Sequence, residues 1–234
     1  MPFPETGHTA LARLRLFQLV SSSLPIGGFT YSQGIERAVE DGWLSNAETT
    51  GDWLGTAMKD SLCYLDLPII NRLYEAVQEE SPERFTEWSQ YLLASRETSE
   101  LRQEELQRAR ALGEVLDKLP HGLEADRMEP YRPGMAMSQA AGFALAGFEW
   151  QVPLYELLSG FAWSWLENAV NAAIKLVPLG QTAGQGLLYQ LSTRIPDLVE
   201  MAYSVDDDEL GASTPALAIA SSLHETQYCR LFRS

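Results

Sequence analysis

Four adjacent acidic side chains, Asp206, Asp207, Asp208 and Glu209, form the densest set of potential metal ligands in the chain. Carboxylate oxygens suit magnesium or calcium, and all-α prenyl-diphosphate enzymes hold magnesium on aspartate-rich motifs. That chemistry needs a second metal motif on a facing helix, and none of comparable strength occurs. A solvated acidic turn accounts for the same residues. The histidines are His8, His121 and His224, with no HExxH and no pair at i,i+4, so the spacing for a zinc site is absent. His224 and Cys229 could touch a soft metal such as nickel, but their spacing does not share one helix face. No GxSxG occurs, Ser21, Ser22 and Ser23 lack a neighbouring base, and Cys63 in an apolar helix reads as a small core residue. Gly27 and Gly28 precede a helix whose N-terminus could take an anion. The pair lacks the GxxxxGK[ST] pattern, and an ordinary turn explains it better.

The elements that must position these residues read as helices throughout. Leu11, Leu14, Phe17 and Leu19 recur at helical spacing over 10–20. Ser45 or Asn46 caps a helix through Leu62, and Asp66 with Pro68 signals the start of another. Ser81-Pro82 opens a fifth helix and Thr98-Ser99-Glu100 a sixth. On the sixth, Arg102, Glu104, Glu105, Arg108 and Arg110 read as a solvated face. The Pro- and Gly-containing stretch 120–134 reads as a long loop. Ala140 to Gly147 is a small-residue helix that lets neighbours approach, and Pro153 starts a long helix that is apolar most of the way round. Further helices are read over 181–192, 195–203 and from Thr214-Pro215. The expected fold is all-α, a single-domain bundle of about ten helices over 1–234.

Composition narrows the partners. With 32 acidic residues against 17 basic, the formal net charge is −15. Such a surface repels phosphate backbones, so nucleic acid is not an expected partner, whereas basic protein surfaces and cations are attracted. Two cysteines without a CxxC fit reduced thiols in a cytoplasmic protein. No signal peptide opens the chain, and Glu149, Glu156, Glu167 and Lys175 interrupt the apolar segments, so no membrane span is expected.

Two stretches stand out. In Leu24–Glu36, Pro25 restricts the chain, Gly27 and Gly28 allow a sharp turn, and Thr30 with Gln33 fits a capping box for a helix that contains Gly34. Something is expected to pack tightly on that glycine. At the other end, Ser222 and Glu225 fit a capping box that would make the tail helical, presenting Tyr228, Leu231 and Phe232 with Arg230 and Arg233. Aromatic residues and arginine are the types enriched in binding hot spots, so the terminus is expected to dock onto its own body or into a partner groove.

Both stretches carry a resemblance. Leu24–Glu36 is similar to the N-terminal signature of the urease accessory protein UreF family, and His224–Ser234 is similar to that family's C-terminal ending, with Cys229 where a serine or alanine is common. The resemblance implies a cytoplasmic, all-α scaffold that is not an enzyme and carries no cofactor. It implies a homodimer that binds UreD (UreH in some organisms) and recruits the GTPase UreG, the assembly then helping to install nickel in the urease apoprotein. Pro25, Gly27, Gly28, Phe29, Tyr31, Ser32, Gly34 and Glu36 would shape a recruiting face. His224, Tyr228, Arg230, Leu231, Phe232 and Arg233 would belong to a partner-docking tail, 224–234, with Arg230 fixing a nearby aromatic and backbone carbonyls. The alternative is an all-α magnesium-dependent enzyme using the Asp206–Glu209 run.

Overall fold

Asn46 caps its helix as its type suggests: its Oδ1 accepts from the Thr49 amide at 3.0 Å, and the Thr49 hydroxyl returns to the Asn46 amide. Beyond this helix the chain differs from the expected pair of separate helices. The computed structural model, which describes residues 7–119, 123–211 and 214–233, shows no break at Asp66. A π-helical segment, Met58–Asp66, joins the helix Ala47–Ala57 to the helix Leu67–Gln78. The amide of Leu67 donates to Leu62, five residues back. Pro68 has no N–H to continue an ordinary ladder, and the widened π turn accommodates it. Asp66 is therefore free of capping duty, and its carboxylate turns inward.

In chain order the α-helices are α1 (Gly7–Leu19), α2 (Ile35–Glu40), α3 (Ala47–Ala57), α4 (Leu67–Gln78), α5 (Pro82–Ala94), α6 (Ser99–Lys118), α7 (Ala125–Met128), α8 (Arg132–Met135), α9 (Gln139–Glu149), α10 (Leu154–Leu176), α11 (Gln181–Ser192), α12 (Ile195–Tyr203) and α13 (Pro215–His224). No strand occurs among the described residues, and the fold is all-α. Residues 120–122, with His121, lie outside the described part. Residues 125–135, expected as loop, instead form two single helical turns around a 3₁₀ turn. Met128, Tyr131 and Met135 are buried there, and apolar anchors at this spacing turn a proline-containing stretch into packed structure.

The centre is α4 against α9, with α10 packed across α1, α2, α3, α4, α9, α11 and α12. Ile69, Ile70 and Leu73 of α4 and Phe143, Ala144 and Leu145 of α9 are wholly buried. The small residues of α9 allow this closeness. A Cβ on Gly147 would collide with the side chain of Leu157, so Gly147→Ala should lower stability by about 1–3 kcal/mol through overpacking, measurable as a drop in the urea midpoint. No helix among the described residues is long and apolar enough to cross a membrane.

On α6 Arg102 and Arg110 are exposed as expected, but two of the charges read as solvated are not. Glu104 and Glu105 are buried. Arg96 donates to Asp66 and to Glu105 Oε2 at 2.7 Å, while the Ser138 hydroxyl and the Gln139 amide donate to Glu105 Oε1 at 3.0 and 2.9 Å. Arg108 pairs with Glu104 at 3.0 Å. Burial pushes the Glu105 carboxyl upward, but the charge and hydrogen bonds of Arg96, with Arg108 and Ser138, outweigh it and hold the group below the usual carboxylate range. Together these side chains make a polar seam inside an apolar bundle.

Candidate partner-docking face

The signature stretch is a sequence of tight backbone positions. Ile26 is buried, Gly27 is left-handed at φ 74°, and Gly28–Thr30 is a single 3₁₀ turn. Gly28 packs on Asn168 of α10, and Pro25 leads the chain in. Thr30 and Gln33 do not form the expected capping box. The Thr30 hydroxyl donates to the Gly27 carbonyl at 2.7 Å. Gln33, at φ 51°, sends its amide to Glu104 at 2.9 Å and accepts from the Trp165 indole at 2.9 Å. Buried Ser32 accepts from the Glu36 amide at 3.3 Å.

Gly34 is not inside the helix but at its N-cap, with φ 82°. The tight packing expected there is present: a Cβ would sit 3.1 Å from the Ser221 amide nitrogen and 3.2 Å from the Leu217 carbonyl oxygen, both on α13. The positive φ and the neighbouring backbone both exclude a side chain. Gly34→Ala should therefore cost about 1–3 kcal/mol, read as a lowered midpoint in chemical denaturation, whereas Gly42→Ala, with open space around it, should cost less.

Two helices and the tail converge beside this turn. Glu36, on α2, is buried. Its Oε1 accepts from the Leu231 amide at 2.6 Å, and its Oε2 accepts from the Phe232 amide at 2.9 Å. The same Oε2 lies 3.1 Å from Nε2 of His224, and Nδ1 of that ring lies 2.7 Å from Glu100 Oε2 on α6. Arg230 donates to Glu100 Oε1 at 2.6 Å. The Arg233 amide donates to the Thr30 carbonyl at 2.9 Å. Its guanidinium reaches Gln107, which also accepts from the Tyr31 hydroxyl at 2.7 Å. Burial, reinforced by Glu104, pushes the Tyr31 hydroxyl above its usual range, so it remains a donor.

The tail is thus docked on the body, and not as the helix expected. α13 ends at His224, Ser222 lies within it, and residues 225–233 form successive turns. Glu225 does not cap its own segment. It accepts from the amide and hydroxyl of Ser99, which hold its carboxyl below the usual range, and so joins the tail to the start of α6. Thr98 caps α6 as expected, accepting from the Leu101 amide at 3.2 Å, and its hydroxyl also meets that of Ser221. Arg230 engages a carboxylate, not the aromatic and carbonyls expected of it.

Side chains divide by direction. Phe232 is buried, and Lys175 of α10 lies 5.4 Å from its ring centre and 5.9 Å from that of Phe29. Phe29, Leu231 and Tyr228 face outward, Tyr228 fully exposed. The structure brings Phe29, Thr30, Tyr31, Gly34 and Glu36 of the first stretch together with the α13 end and with His224, Leu231, Phe232 and Arg233 of the tail, whereas Pro25 only guides the chain and Tyr228 projects into solvent. Glu100, Gln107, Lys175 and Asn168 also belong to this region. No sequence signal marks them: Glu100 reads as an acid suited to a helix start, and the others as ordinary helix residues.

The sequence-predicted metal candidates are placed elsewhere or differently. Asp207 is taken by Arg72, 2.6 Å away, which also donates to the Val205 carbonyl and stacks on Trp88. Glu209 turns back to the Asp206 amide. His224 is enclosed by two carboxylates while Cys229 is exposed, so the two do not act as a ligand pair. Among the described residues no group of three or more His, Cys, Asp or Glu side chains is placed to hold a metal ion.

Comparison with known proteins gives one answer. The UreF family model matches residues 44–192. A urease accessory protein UreF of Alcanivorax borkumensis is 51% identical over 225 residues, covering 95% of this chain and 98% of that protein. UreF of Pseudomonas putida strain W619 is 49% identical over 97% of this chain and 100% of its own. UreF of Citrobacter koseri is 47% identical over 96% and 99%. These relatives are named as accessory proteins and not as enzymes, which displaces the magnesium-dependent alternative, and near-full-length identity at this level shows that the chain belongs to the UreF family.

Proposed function

We propose that this chain is a cytoplasmic scaffold in urease maturation, one domain over 1–234 whose docked tail, 224–234, and signature turn form a single recruiting face. That face engages UreD/UreH and the GTPase UreG, and the assembly assists nickel insertion into the urease apoprotein. The observation that supports this reading most directly is the outward set Phe29, Tyr228 and Leu231, held in place by inward pins at Glu36, His224, Arg230 and Phe232. Exposed aromatic and aliphatic side chains on a rigid frame lose little entropy on binding. The scaffold acts by raising the local concentration of its partners. Like the family, it works as a homodimer, so its solution mass should be twice the chain's 26.1 kDa.

Co-purification tests the face. Tyr228→Ser with Leu231→Ser changes two exposed side chains and leaves every pin intact. The pair should weaken retention of UreD and UreG about tenfold or more while the thermal midpoint stays unchanged. Retention equal to wild type would move the binding site elsewhere on the body.

A further inference from the structure

Beside the docked tail stand two cations that no carboxylate neutralises. Elsewhere arginines are spent on acidic partners, as at Arg37, Arg72, Arg127 and Arg132, and Arg230 of the tail itself is held by Glu100. Lys175 and Arg233 differ. Both are exposed. The Lys175 ammonium lies over two aromatic rings, Phe29 at 5.9 Å and Phe232 at 5.4 Å. The Arg233 guanidinium reaches the neutral side chains of Gln107, at 3.4 Å, and Tyr31. Among the described residues neither cation pairs with a carboxylate. In a chain with 32 acidic residues against 17 basic, two uncompensated positive charges therefore border the exposed side chains of Phe29 and Leu231. A ring face offers a cation only part of what a carboxylate would, so the outer side of the Lys175 ammonium stays available.

We infer, resting on the recruiting face proposed above, that the face receives an acidic protein surface, with partner carboxylates meeting Lys175 and Arg233 at the rim and apolar groups meeting Phe29, Tyr228 and Leu231. Charge complementarity selects this occupant. At about 0.1 M salt the Debye length is about 10 Å, so a partner in contact feels these two cations and not the acids on the far side of the bundle. A second copy of the chain fits less well. In a two-fold contact centred on this face the same patch meets itself, and Lys175 and Arg233 would be set against their own images. Nucleic acid also offers negative charge, but two cations neutralise few phosphates, and the chain's net charge of −15 opposes the rest. Rim charges govern orientation and choice of partner more than final affinity. The outward apolar side chains anchor, and Lys175 and Arg233 select.

Salt-dependent co-purification with the full-length chain tests this. Lys175→Gln with Arg233→Gln should lower retention of UreD and UreG about threefold to tenfold at about 0.1 M NaCl, and the gap to wild type should close by about 0.5 M. Lys175→Glu with Arg233→Glu should lower retention further, whereas Lys175→Arg, which keeps the charge, should behave as wild type. Arg233→Gln alone leaves both aromatic contacts of Lys175 in place, so a salt-dependent loss in that variant is electrostatic and not a shift of Phe29 or Phe232. Wild-type retention in the reversed pair, or a gap that salt does not narrow, would overturn the inference. So would a halved solution mass in the reversed pair, which would make a second copy the occupant. Binding of a single-stranded oligonucleotide by wild type that the neutralised pair loses would overturn it as well. The loss seen with Tyr228→Ser and Leu231→Ser separates the two readings. If that pair loses the partners and the charge variants do not, the face stands and the acidic occupant falls; if neither set loses them, the face itself falls.

Discussion

Arg96→Met should destabilise the bundle by about 3–5 kcal/mol at neutral pH, the usual cost of leaving buried charges unpaired. Arg96 bridges Asp66 and Glu105. Asp66 ends the π segment and Glu105 lies on α6, where it also ties down Ser138 and Gln139 at the start of α9. Methionine fills similar volume but supplies no donor, so both carboxylates lose their counter-charge inside the protein. The pH dependence separates this account from simple loss of packing. In the native chain the Glu105 carboxyl is held low, so its stabilising contribution is present above the ordinary carboxylate range and is lost as pH falls through the lowered value. In Arg96→Met burial dominates and the carboxyl moves upward. The deficit relative to wild type should therefore be largest near pH 7.5 and shrink toward pH 5. Urea unfolding at both values reads it; a deficit below about 1 kcal/mol, or one unchanged with pH, would show that the seam contributes packing only.

The seam also shows where sequence reading stops. Helix starts at Asn46 and Thr98 were legible because a cap acts within three or four residues of itself, and those at Pro82 and Pro215 because proline suits the first helical turn. Helix faces were legible where apolar spacing was strong, as on α4. The charged face of α6 was not, because the partner that buries Glu105 sits on another element and leaves no periodic mark. The two misplaced capping boxes have the same cause. Thr30 with Gln33, and Ser222 with Glu225, have the right types at the right spacing, but Gln33 is drawn to Trp165 and Glu104, and Glu225 to Ser99. Long-range partners outcompeted local ones. The two ends of the candidate face were found because each holds an unusual local composition. Their meeting was not legible, since Glu36 and Phe232 are 196 residues apart and nothing in either segment specifies the other.

That meeting rests on one carboxylate, which makes Glu36→Gln the second large effect. Glutamine keeps the shape of the side chain but offers one acceptor oxygen and brings an NH₂ of its own. The carboxylate serves three donors: the amides of Leu231 and Phe232, and His224. In the variant at least one backbone N–H faces the new donor, and one of the two carboxylates against His224 is gone. Loss of a charged acceptor from a buried site costs about 3 kcal/mol or more, and most of it should fall on the tail, because α2 retains its contacts with α10 and α13. Trypsin gives a direct reading, since Arg230 and Arg233 are the cleavable residues of the tail. Cleavage after Arg230 should be at least about tenfold faster in Glu36→Gln than in wild type, with the helical core equally resistant in both. The same variant should retain UreD and UreG less well than wild type, although neither Tyr228 nor Leu231 has been touched. If tail cleavage accelerates while partner retention is unchanged, the tail docks through Glu36 but is not the recruiting element. If cleavage does not accelerate, the Arg230–Glu100 pair and the seat of Phe232 hold the tail without Glu36, and the central role given to this carboxylate is wrong.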